Sequence, residues 1–66
     1  MKKITIGINS SSGFLRADSD PMSDDDVREQ LSAVATAKEN GPDTIVQLPW
    51  IVLRSADVLF ARSSSL

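Results

Sequence analysis

The densest run of groups able to do chemistry is Asp18-Ser19-Asp20-Pro21-Met22-Ser23-Asp24-Asp25-Asp26, which suggests a cation site first. A calcium loop places oxygen ligands at alternating positions, a glycine at the sixth and a bidentate Glu at the twelfth. Counted from Asp18, the fifth position is Met22, the sixth Ser23 and the twelfth Glu29, so only the first, third and last fit. The same carboxylates would need a cleft that separates their pKa values before they could act as acid and base. Consecutive aspartates at a helix start instead point around its axis. Serines recur in Ser10-Ser11-Ser12, Ser55 and Ser63-Ser64-Ser65, but the chain has no histidine to activate one. It has no cysteine either, which removes disulfides and the usual zinc ligand sets. Gly7, Gly13 and Gly41 are isolated and form no phosphate-cradling loop. No catalytic residue, metal or cofactor is expected, and the chain is read as a non-enzyme.

Sixty-six residues allow one domain at most. So short a chain buries only about 60% of its unfolded surface, and small folds commonly compensate by oligomerising when disulfides and metals are absent. A hydrophobic fraction of 41% and a charged fraction of 24% call for a folded chain rather than a disordered one. The apolar run Trp50-Ile51-Val52-Leu53 is far too short to span a bilayer. Met1-Lys2-Lys3 has the look of a signal-peptide start, but no apolar core region follows, so export is not expected and a cytoplasmic location is.

Net charge is −2, unevenly distributed. The first seventeen residues carry Lys2, Lys3 and Arg16 with no acid, residues 18–43 hold all but one of the acids, and Arg54 and Arg62 follow. If flanks and middle build different elements, the molecule has a basic side and an acidic side.

Those elements can be read in outline. Ile4, Ile6 and Ile8 alternate with polar or small residues, as in a half-buried strand. Asn9–Gly13 forms a polar turn that returns the chain into a second strand at Phe14–Ala17. Ser23 is an N-cap that Asp26 can answer, Met22 and Val27 occupy the positions of a hydrophobic staple, and Asp24, Asp25 and Asp26 favour the positive end of a helix dipole. Val27, Leu31 and Val34 form an apolar stripe, widened by Ala35 and the stem of Lys38, and Asn40-Gly41-Pro42 stops the helix. Thr44–Leu48, Trp50–Arg54 and Val58–Arg62 read as further strands, and Ser63–Leu66 as a flexible tail. The expected product is an α+β domain over residues 1–62, with an antiparallel sheet of four or five strands and one helix on one face.

One helix covers one face of a sheet. With Ile4, Ile6 and Ile8 turned toward the helix, strand alternation puts Leu15, Ala17, Ile51, Leu53, Leu59 and Ala61 in one set. Phe14, Arg16, Trp50, Val52, Arg54, Val58, Phe60 and Arg62 fall in the other, with every aromatic residue of the chain. Exposed apolar surface of that size marks an interface, and aromatics with arginine dominate binding hot spots. The expected interface is therefore Phe14, Arg16, Trp50, Val52, Arg54, Phe60 and Arg62, with a homodimer as the first expectation. An alternative is a protein that binds or inhibits another through Asp20, Asp24, Asp25 and Asp26, by complementarity of potential. The arginine-and-aromatic set also resembles, in composition alone, a stacking platform for single-stranded nucleic acid. Scattered arginines on an acidic chain supply too few phosphate contacts for that partner to be expected.

Overall fold

The computed structural model describes residues 1–65. Five strands and one helix follow in the order β1 (Lys2–Ser10), β2 (Gly13–Asp18), α1 (Asp24–Glu39), β3 (Ile45–Leu48), β4 (Ile51–Arg54) and β5 (Val58–Ser65). A single 3₁₀ turn, Ser55–Asp57, joins β4 to β5. The fold is α+β and wholly antiparallel, as the alternation and the capped helix lead one to expect. The strands do not form one sheet, however. β2, β1 and β5 make a three-stranded sheet in that order, and β3 pairs with β4 in a separate two-stranded one.

β1 is the central strand, and its alternation places Ile4 and Ile6 fully out of solvent. They meet Val27, Val34 and Ala37 of α1, Val46 and Leu48 of β3, and Val58 of β5. Full burial of each such aliphatic side chain is worth about 1.5–3 kcal/mol, and this cluster is most of what a chain this size can muster. Ala37, not Ala35, completes the helix face, because the stripe drifts around the axis and Ala35 is left exposed. Lys38 is at the edge of that stripe and donates from Nζ to the Val58 carbonyl at 2.7 Å.

The helix boundaries follow their local chemistry. The Ser23 hydroxyl accepts from the Asp26 N–H at 3.2 Å, with three aspartates in the first turn. At the far end Asn40 stays right-handed, and Gly41 takes the positive φ of +117° that turns the chain out of the helix.

Two further departures from the sequence reading have nonlocal causes. β5 runs on through Ser65, because Ser63, Ser64 and Ser65 lie opposite Ile4, Lys3 and Lys2 in the ladder; only Leu66 of the expected tail lies outside the described residues. Between Gly7 and Ile8 the register with β5 jumps from Phe60 to Val58, leaving Leu59 as a bulge residue. That bulge turns Val58 into the core and Leu59 outward, the reverse of strict alternation.

Candidate interaction surface

α1 packs on the sheet face that carries Ile4 and Ile6, and the opposite face of the three-stranded sheet is open. Register places Thr5 between Asp18 and Arg62, and Gly7 between Arg16 and Phe60, with Phe14 beside Asn9. Phe14, Arg16, Phe60 and Arg62 therefore share this face, as expected. Because the bulge precedes Phe60, alternation is intact from there to Arg62.

Gly7 determines how the aromatics lie. A Cβ at that position would collide with Cδ2, Cε2 and Cζ of Phe60, so the ring occupies the space that a side chain would fill. Phe60 then reaches Phe14, with ring centroids 6.2 Å apart and planes inclined by 24°. The Arg62 guanidinium carbon stands 5.3 Å from the Phe60 centroid, a cation–π distance. Lys3, Arg16 and Arg62 outnumber Asp18 among the charges of this face, and the acidic helix start belongs to the layer behind it.

Asp18 is held in place at the rim. It accepts from the Thr5 hydroxyl at 2.6 Å and pairs with Arg16 at 3.2 Å. The Thr5 bond is the main reason its carboxyl titrates below 3.8; Arg16 and Lys3 add to it and partial desolvation opposes it. A folded-state pKa below the unfolded one stabilises the fold above the unfolded value, and that contribution is lost as pH falls through the folded one. Thr5→Val should raise the Asp18 midpoint toward the ordinary value in a carboxyl-carbon NMR titration. An unmoved midpoint would show that the Thr5 bond is not the cause.

The other expected interface residues lie elsewhere. Trp50 is not in a strand: Pro49 and Trp50 form the two-residue turn between β3 and β4. Its ring is half-buried against the core, and Nε1 donates to Gln30 Oε1 of α1 at 2.9 Å. Trp50 thus ties the hairpin to the helix. Val52 and Arg54 lie on the outward side of the two-stranded sheet, where Arg54 pairs with Asp57 at 3.4 Å. The exposed side chain of Ile45 sits opposite Arg54, a position the sequence reading overlooked because β3 was not assigned a face.

Asp20, Asp24, Asp25 and Asp26 are exposed around the helix start, and Asp25 meets Arg28 at 3.4 Å. Beside them, Asp26, Glu29, Gln30, Gln47 and Leu48 line a half-open groove of about 310 Å³. Among the described residues no group of three or more acidic side chains is placed to hold a metal ion. Nor is any helix there long and apolar enough to cross a membrane.

Leu15 faces the helix side, as strand alternation predicts, yet it is 51% exposed. The helix packs against β1, β5 and β3, and β2 extends beyond its cover. Phe14, 58% exposed, is on the opposite face of the same strand. β2 therefore shows a large apolar side chain on each side. Compared with protein-family models, curated proteins and solved structures, the chain matches none.

Proposed function

We propose that the chain is a small non-catalytic interaction module that self-associates through the β2 side of its three-stranded sheet. The observation that carries this is the exposure of Phe14 and Leu15 on opposite faces of one strand that the helix leaves uncovered. Phe60 supports Phe14 from below, and Arg16 and Arg62 flank the pair with cations, the residue mix of a binding hot spot. A second copy supplies the apolar cover that a core this small lacks.

The groove beside Asp26 and Glu29 favours a second reading, in which a basic segment of another protein docks at the acidic helix start. Salt separates the two. Raising ionic strength from about 0.05 to 0.5 M shortens the Debye length roughly threefold, so capture through carboxylates weakens steeply. Self-association through Phe14 and Leu15 should persist in light scattering at both salt concentrations. An oligomer that dissolves in high salt would point to the carboxylates instead.

A further inference from the structure

Self-association through the β2 side can use a sheet face or the free strand edge, and the backbone of β2 points to the edge. Ser19, which directly follows β2, donates its N–H to the Ile4 carbonyl at 2.9 Å. Backbone groups alternate in direction along an antiparallel strand, so Ala17, Leu15 and Gly13 also turn theirs toward β1. Phe14, Arg16 and Asp18 turn theirs outward. Among the described residues no strand pairs with that outer edge. The other edges are less suited: β5 carries the bulge at Leu59 and the Lys38 ammonium on its Val58 carbonyl at one end and ends in Ser63–Ser65, without an apolar side chain, at the other, and β3 and β4 have four residues each. β2 has six residues with neither proline nor bulge.

We infer that β2 pairs antiparallel with β2 of a second copy, with Leu15 opposite Leu15, to give one continuous six-stranded sheet. This rests on the reading of the chain as a self-associating module. A two-fold axis perpendicular to the sheet keeps the open faces on one side and both helices on the other. Only registers that bring outward residues opposite outward residues form hydrogen bonds, which leaves few choices. Placing Phe14 opposite Phe14 pairs only Gly13–Leu15 of each strand and runs Arg16 onto the turn, and placing Arg16 opposite Arg16 sets like charges face to face. Placing Ala17 opposite Ala17 pushes Phe14 and Leu15 past the strand end of the other copy. With Leu15 opposite Leu15, Phe14 faces Arg16 of the second copy twice, a cation–π pair on the open face. The two leucines meet on the helix side as a non-hydrogen-bonded pair, where side chains approach most closely. Each copy then covers the apolar groups on both faces of β2. Five paired residues per strand, Gly13–Ala17, bury less than the roughly 800 Å² per partner of a standard interface, so the dimer is weak and concentration-dependent.

The chain has no cysteine, so single substitutions give unambiguous cross-links. A Cα separation of about 4.5 Å at a non-hydrogen-bonded pair falls within disulfide reach. Under mild oxidation Leu15→Cys should form a covalent dimer at least about tenfold faster than Val52→Cys, an exposed position on the other sheet. Faster cross-linking of Ala17→Cys than of Leu15→Cys would overturn the register. Hydrogen exchange on the unmutated chain provides a second readout. The amides of Phe14 and Arg16 should slow by about tenfold on going from dilute to concentrated protein, with those of Leu15 and Ala17 unchanged. Unchanged exchange at Phe14 and Arg16 in a protein that weighs as a dimer would overturn the edge pairing and leave self-association standing. A monomer at every concentration would remove both.

Discussion

Ile6→Ala is expected to shift unfolding to a much lower urea concentration. Ile6 is in the central strand with no solvent exposure, held between α1 and the neighbouring strands. Truncating a fully buried isoleucine to alanine costs about 2–5 kcal/mol, because the transfer free energy of the lost carbons and the unfilled cavity add. At about 0.05–0.15 kcal/mol per residue, a chain of this length has roughly 3–10 kcal/mol in total. One substitution thus removes a large share of the margin. The sole tryptophan, Trp50, touches the core and reports the transition by fluorescence in urea. Val52→Ala, on the outward side of the two-stranded sheet, should move the midpoint little and serves as the control. An Ile6→Ala midpoint equal to that of the parent would mean that the core is not where the fold places it.

Phe14→Lys should act on association instead. Phe14 is exposed and meets Phe60 across 6.2 Å, so the monomer loses an aromatic pair worth about 0.5–1.5 kcal/mol and remains folded. In the dimer the same change removes an anchor and sets an ammonium near Arg16 of the second copy, where like charges repel. Truncated hot-spot residues cost about 2 kcal/mol or more, which is over tenfold in the dissociation constant. Sedimentation should show the variant as a monomer at concentrations where the parent is a dimer. Equal dissociation constants would remove Phe14 from the interface. Substituting Trp50 should give the opposite pattern, lost stability with unaltered association, since its ring packs on the core and its N–H is held by Gln30.

Local chemistry made the first half of the fold legible. The alternation of Ile4, Ile6 and Ile8 needs no partner to be recognised, and Ser23, Asp24–Asp26 and Gly41 mark the ends of α1 by groups within a turn of each end. The errors came where the answer depends on residues far away in sequence. Strict alternation put Val58 outside, and only the ladder with β1 reveals the bulge at Leu59. Ser63–Ser65 have no strand propensity of their own and are extended because Lys2–Ile4 lie opposite. Trp50 reads as the start of a strand because Pro49 reads as the end of the one before, whereas the pair forms the hairpin turn itself.

The candidate surface was half legible for the same reason. Phe14, Arg16, Phe60 and Arg62 keep their common face because they lie in two strands flanking β1 with no slip between them. Val52 and Arg54 were grouped with them by alternation alone, which cannot tell one sheet from two. Gly7 read as a small residue between isoleucines; its purpose emerges only when Phe60 lies across it. The exposure of Leu15 was beyond the sequence as well, because it depends on how far α1 extends over the sheet.

Self-association is tested most directly by the native mass of the unmodified chain across a dilution series, measured by sedimentation or light scattering. The expected result is a reversible shift between 7.1 kDa and twice that mass as concentration rises, little altered by salt. A mass of one chain at every concentration would contradict it, and Phe14 and Leu15 would then be surface that this protein does not present to a copy of itself.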